Sequence, residues 1–480
     1  MRRLIPLGIL IPLLFLLPAC APPGGTPPPP TRTPLPSPFP SATLPPPIPP
    51  TAAPAPPRTT YQIDALLDYA AHILTARQTL TYLNDTPDTL TELILVVEPA
   101  RLPGVFALDD LRWSQSGAPA AGWSLADGAL TVPFVEPLPP GGHISLELAF
   151  TLALPAQPGK LGYADGQLNL VDWYPFVPAY RGGFLVHPPS PVGETISYDP
   201  ADYAVTFEVQ NQPPGLVVAA GMPVSFQGSL YRFGGSGFRN FGLSLNEAVV
   251  VLEERVGEVL VTSVVPVNLE EAGRAALAAV VDALAVYGEM FGAYGHASLM
   301  VVAGNFPDGL EYDGLVFVGE EWYRDYDGGP QNYLTLLAAH ETAHQWWYAQ
   351  VGNDQALEPW LDEALATYSE LLWLERARPD LAAWWWAFRV AAFAPEGAVG
   401  GTVYDFDGFR PYVNAVYLRG ALMLHDLRAA VGDDVFRFAL RVYAEQFAGR
   451  EATAGDLIGV LEDLSGEELT ALLQGFGVPE

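Results

Sequence analysis

The period of apolar positions changes once along the chain, near residue 267. Upstream, apolar and polar residues alternate: Ile144, Leu146, Leu148, Phe150 and Leu152 form one run, and Tyr203, Val205, Phe207 and Val209 another. Period two with one apolar face marks half-buried antiparallel strands. Turn residues separate the runs, at Asn84-Asp85-Thr86-Pro87, Pro139-Pro140-Gly141-Gly142 and Gly234-Gly235-Ser236-Gly237. Residues 58–267 therefore read as an all-β domain, a sandwich or saddle-like sheet, with Val259 to Val265 as its last strand.

Downstream, Leu277, Val280, Val281, Leu284 and Tyr287 recur at helical spacing, behind an Asn268/Glu271 pair spaced as a capping box. A short apolar strand, Leu299-Met300-Val301-Val302, leads into a glycine-rich loop from Gly304 to Leu315. Such a loop can bring its backbone close to an extended ligand. Gly328-Gly329-Pro330 opens a largely apolar helix that Gly352 would close, and a second helix is expected from Pro359 to Ala377. Later helices carry Trp384-Trp385-Trp386, Tyr417 to Ala430, Asp434 to Phe447 and Ala454 to Leu464. Residues 268–480 read as an α+β domain of thermolysin-like type.

The first 57 residues are of another kind. Arg2-Arg3 precede an apolar run from Leu4 to Leu17, short for a membrane span but suited to a signal-peptide core. Its end, Leu17-Pro18-Ala19-Cys20, resembles a bacterial lipoprotein signal. That resemblance implies cleavage before Cys20, lipidation of its thiol, and an extracytoplasmic protein held to a membrane; ordinary secretion is the alternative. The mass of the mature N-terminus separates the two. Residues 21–57 are proline-rich and read as an extended tether.

Composition narrows the chemistry. Lys and Arg number 23 against 54 Asp and Glu, a net charge of −31, and Lys160 is the single lysine. Such a surface repels phosphate backbones, so no nucleic-acid partner is expected. Cys20 is the single cysteine, which excludes an intrachain disulfide and a thiolate metal site.

The candidate chemistry lies in His340-Glu341-Thr342-Ala343-His344. Two histidines four apart on one helical face can place two imidazole nitrogens on a single ion. Glu341 would then stand beside the water the metal activates rather than on the metal. A third ligand, Glu363, follows 363 − 344 = 19 positions later, on the next helix. Two histidines and a carboxylate with an open position form a catalytic zinc arrangement, since structural sites close with four protein ligands. One Zn2+ is the expected cofactor, although the ligand set also suits other divalent ions.

This set resembles the gluzincin aminopeptidases related to membrane alanyl aminopeptidase and the leukotriene hydrolases. Beyond the zinc ligands, Gly309-Leu310-Glu311-Tyr312 resembles the family's Gly-x-Met-Glu-Asn loop, and Tyr417-Leu418-Arg419-Gly420-Ala421 its Tyr-x-Lys-Gly-Ala segment. The resemblance covers about Asn268 to Glu480. It implies peptide substrates, with Gly309, Leu310 and Glu311 binding them and the Glu311 carboxylate holding a free amino terminus. It also implies that Tyr417 contacts the reaction intermediate and that Tyr412 is a second active-site tyrosine. Asp308, Leu310, Ala364 and Arg419 depart from the family pattern. The chain stops soon after this domain, so an open cleft is expected. The expected function is a zinc-dependent aminopeptidase; a zinc endopeptidase and an inactive peptide-binding scaffold are the alternatives.

Overall fold

The computed structural model of the protein describes residues 57–479. The expected signal segment, the expected lipidation at Cys20 and all but the last residue of the expected tether lie outside the described residues.

The larger sheet of the N-terminal half has seven strands. In spatial order they are Val224–Gln227, Leu230–Phe238, Ala201–Gln210, Thr60–Asp68, Ile73–Leu83, His143–Ala153 and Phe106–Trp113. The alternating residues Leu146, Leu148, Phe150 and Leu152 point into the core, none more than 2 % exposed. Each such side chain removed from water contributes about 1.5–3 kcal/mol. One ladder departs from the antiparallel expectation: Thr60–Asp68 and Ala201–Gln210 run parallel. Between them the chain builds two smaller sheet regions and returns in its original direction, which periodicity alone does not reveal. Trp173 and Tyr174 pack in the aromatic centre of this half, both buried.

The C-terminal half is built on a five-stranded sheet, in the order Val249–Val256, Val259–Pro266, Ser298–Gly304, Leu315–Gly319 and Gly309–Tyr312. This corrects the expected boundary at residue 267. The hairpin from Val249 to Pro266 belongs to the second half, because Val259–Pro266 pairs in parallel with Ser298–Gly304 across the helix Glu270–Phe291. A strand's period does not say which sheet it joins; the crossover does. The expected capping box at that helix does not form. A 3₁₀ turn, Val267–Leu269, runs directly into Glu270 with no side-chain cap.

Two buried helices follow, the first packed on the sheet and the second on the first. The first, Tyr333–Ala343, starts at Asn332, whose side chain accepts a hydrogen bond from the Thr335 N–H at 2.9 Å. It ends at Ala343 rather than near Gly352: His344 closes the last turn, and Tyr348 takes a φ of 131° that no helix permits. Trp346 and Trp347, which extend the apolar pattern past the helix end, pack against Phe291. The second helix, Trp360–Ala377, is buried from Trp360 through Leu374. Tyr417 precedes its expected helix, in a π-helical segment Val413–Arg419 that leads into Gly420–Val431.

The two halves share a buried junction at Arg239, which is 1 % exposed. Its guanidinium donates to the carbonyls of Ala349 at 2.8 Å and Arg450 at 2.9 Å, and to Glu451 at 2.7 Å. A strap from the first half also crosses the second. His187 meets Asp354 at 3.1 Å, and Ser197 donates to the Asn353 carbonyl at 3.1 Å.

Candidate active site

The ligand geometry follows from two helices and one turn. His340 lies on the last turn of Tyr333–Ala343, His344 just past its end, and Glu363 on the first turn of Trp360–Ala377. The two Nε2 atoms are 3.2 Å apart, and Glu363 Oε2 lies 3.3 Å from that of His340 and 3.6 Å from that of His344. Metal–ligand bonds of 2.0–2.1 Å in a tetrahedral array set ligand atoms about 3.3 Å apart. The triangle therefore has the dimensions of one face of such an array.

The hydrogen bonding behind these residues points the same way. His340 Nδ1 faces Glu370 Oε1 at 3.0 Å, and His344 Nδ1 faces the Trp347 carbonyl at 3.0 Å. With each Nδ1–H donating outward, both Nε2 lone pairs converge on one point. Glu363 Oε2 is buried and has no hydrogen-bond partner. Burial disfavours a charged His340 ring, yet the Glu363 and Glu370 carboxylates outweigh it and raise the ring to about 9. Burial likewise acts against a charged Glu363, but the two histidines bring it down to about 2. The pocket calls for positive charge at this point, and a dication fits that demand.

Glu370 was not singled out from sequence. It accepts from His340, from Trp385 Nε1 at 2.8 Å and from Arg389 Nη2 at 3.0 Å, all buried. Its signal was present: Glu370 lies seven residues after Glu363, two turns along the same face of an otherwise apolar helix.

Glu341 is 4 % exposed, and its Oε2 has no hydrogen-bond partner. Burial pushes its carboxyl up to about 8. Gly309 stands against it: a Cβ at Gly309 would lie 2.0 Å from Glu341 Oε1. The edge strand can approach the base this closely because residue 309 lacks a side chain.

Side-chain alternation along Gly309–Tyr312 sorts the remaining loop residues. Gly309 and Glu311 face the cleft. Leu310 faces the other way, in a small apolar cluster with Val302, Leu315 and Phe317. Leu310, expected among the substrate-binding residues, therefore turns its side chain away from the cleft. Glu311 is buried; its Oε1 accepts from Gln355 Nε2 at 3.0 Å, and it offers an oxygen within 4.8 Å of His344 and Glu341. Burial raises its carboxyl to about 7, so it is poised to ionise when a cation arrives.

Tyr417 lines the cleft and its hydroxyl donates to Glu363 Oε1. Its ring lies parallel to that of His340, with centroids 6.0 Å apart. Burial, with the Glu363 charge behind it, pushes the phenol well above its usual range and keeps it a donor. Tyr412 is also corrected. It is 1 % exposed and packs edge-on behind Tyr417 and against Phe406, with its hydroxyl behind Gly193 of the cleft wall. The wide π-helical turn sets residues five apart side by side, so Tyr412 buttresses Tyr417.

The cleft in front of these groups has a volume of about 590 Å³. The strap contributes residues 189–196 to its wall, including Glu194. Lys160 Nζ lies 2.6 Å from both Glu194 carboxylate oxygens. These residues come from separate strands and loops of the first half, and no local pattern announced them.

Fold and site together define a two-histidine, one-carboxylate metal-site architecture carried behind a β domain. Residues 299–476 match the Peptidase family M1 domain. Aminopeptidase M1-A of Oryza sativa subsp. japonica is 28 % identical over 151 residues, 30 % of this chain and 17 % of that protein. Aminopeptidase N of Streptomyces lividans is 29 % identical over 143 residues, 27 % of this chain and 16 % of that protein. The matched stretch thus spans about a sixth of each relative's length. The crystal structure of an M1 zinc metallopeptidase from Deinococcus radiodurans aligns with a TM-score of 0.63 at 22 % identity, covering 88 % of this chain and 93 % of that one. A mutant of that protein bound to a Tyr-Ser-Ala substrate aligns equally well, with a TM-score of 0.63 at 23 % identity. Residues 299–476 thus carry a Peptidase family M1 domain, and the described chain shares the fold of the M1 zinc metallopeptidase structures.

Proposed function

We propose that this protein is a zinc aminopeptidase that removes the first residue of peptides, with one ion held by His340, His344 and Glu363. The observation that carries the reading is the Glu311 carboxylate, fixed in the same cleft within 4.8 Å of His344 and Glu341. A carboxylate so placed holds a substrate ammonium and leaves room for one residue before the scissile bond.

When bound, zinc would polarise the substrate carbonyl and lower the pKa of water toward about 7. The chain's own groups do the rest. Glu341, unpaired at Oε2 and close to neutral pH in its affinity for a proton, takes a proton from the attacking water and delivers it to the leaving amine. The Tyr417 hydroxyl, adjacent to the ligand triangle, donates to the oxyanion that forms on the carbonyl. Glu370 and Arg389 hold the His340 ring in one tautomer and orientation. The free edge of Gly309–Tyr312 offers backbone groups to an extended peptide.

Glu311 also argues against the endopeptidase alternative, which has no use for an ammonium anchor. The test is Glu311→Gln, assayed on matched peptides with free and acetylated amino termini. A charge-assisted hydrogen bond contributes enough that kcat/KM on free-amine peptides should fall roughly 10- to 100-fold. The rate on acetylated peptides should start near background and stay there. Wild-type cleavage of both sets at similar rates would remove the exopeptidase reading.

A further inference from the structure

The cleft is electrically polarised along its length, and the edge strand gives that polarity a direction. At the Glu311 end stand Asp172, which accepts from the Tyr312 hydroxyl at 3.1 Å, and Glu194, which Lys160 holds at 2.6 Å. Glu311 feels Glu194 and Lys160. Three residues back along the same strand entry stands Asp308, near Glu321 and the Arg410 and Arg389 guanidiniums. The two guanidiniums therefore belong to the Asp308 end, beyond Glu341 and Gly309 as seen from the ammonium site.

The walls at that end suit a peptide's tail. Tyr333, Phe393, Phe409 and Trp322 line it. Arg410 is exposed and lies over the Phe393 ring with its guanidinium carbon 4.8 Å from the centroid. Among the described residues it forms no ion pair within 4.0 Å. Arg389, 6 % exposed, is tied to Glu370 through Nε and Nη2, and its guanidinium carbon stands 5.9 Å from the Tyr333 centroid. Asp308 shares the wall without pairing with either arginine, and burial, with Glu321 nearby, raises its carboxyl above the usual range. A planar guanidinium with unused donors at the mouth of a cleft recognises a carboxylate.

A peptide whose ammonium sits on Glu311 runs past Glu341 toward Asp308, so its carboxyl end travels toward these arginines. We propose that Arg410, backed by the Arg389 charge, binds the α-carboxylate of short peptides, so that free-acid oligopeptides are the preferred substrates. The cleft's volume of about 590 Å³ is in the range that encloses a small ligand rather than a protein segment. This inference rests on the aminopeptidase reading, because Glu311 sets the direction in which the peptide lies.

The test uses a length series, Leu-Gly through Leu-(Gly)4, each as the free acid and as the C-terminal amide, with the zinc-loaded protein. At one length the free acid should exceed its amide in kcat/KM by about tenfold, mostly through KM, and added salt should erode the advantage. In Arg410→Gln the ratio at that length should collapse toward one, and Arg410→Lys should restore part of it. The acid-to-amide ratio compares two substrates of one preparation, so a partly folded variant still gives a valid reading. Amides cleaved as fast as acids at every length overturn the carboxylate site while leaving the aminopeptidase reading intact. Cleavage of N-acetylated peptides, or of none, overturns both.

Discussion

Glu341→Gln is expected to lower kcat by ~10²–10⁴ while the protein keeps its zinc. The glutamine is nearly isosteric, and Glu341 is not part of the ligand triangle of His340, His344 and Glu363. The loss should therefore fall on proton transfer and not on metal content or folding. Glu341 Oε2 is buried without a partner, and Gly309 gives the carboxylate the space it occupies. Turnover measured beside metal content distinguishes the outcomes. A variant with full zinc and near-wild-type kcat would remove Glu341 as the base.

Tyr417→Phe should cost ~10²–10³ in kcat with little change in KM, the usual size for removing one donor to a developing oxyanion. The structure also gives this hydroxyl a ground-state partner, Glu363 Oε1. Its removal could therefore act on the metal site instead. The two routes separate by measurement: a transition-state donor lowers kcat at constant zinc affinity, whereas a supporting role for Glu363 weakens zinc binding. Tyr412 packs directly behind Tyr417, so Tyr412 changes should act through the position of that hydroxyl.

What could be read from the sequence was whatever depends on short-range spacing. His340, His344 and Glu363 converge because a helix returns its side chains to one face every three to four residues, and the next helix begins at a proline. The alternating strands of the N-terminal half were legible for the same reason. Where sequence reasoning failed, the deciding fact was direction or partnership. Leu310 and Glu311 are neighbours, but the strand sends their side chains to opposite faces. Tyr412 and Tyr417 share one side of a π-helical turn, and the first is buried behind the second. The hairpin Val249 to Pro266 has the same period in either sheet, and only its parallel partner Ser298–Gly304 assigns it. Glu194, Lys160 and Arg389 reach the cleft from segments far apart in the chain, where no local pattern could group them.

The most direct test of the account is one assay on the full chain with its zinc content determined. Matched peptides with free and blocked amino termini are incubated with and without a chelator. The account predicts one zinc per chain and cleavage of the free-amine peptides alone, lost with the chelator and restored by added zinc. Cleavage of the blocked peptides at a comparable rate, or activity that survives complete removal of the metal, would contradict it.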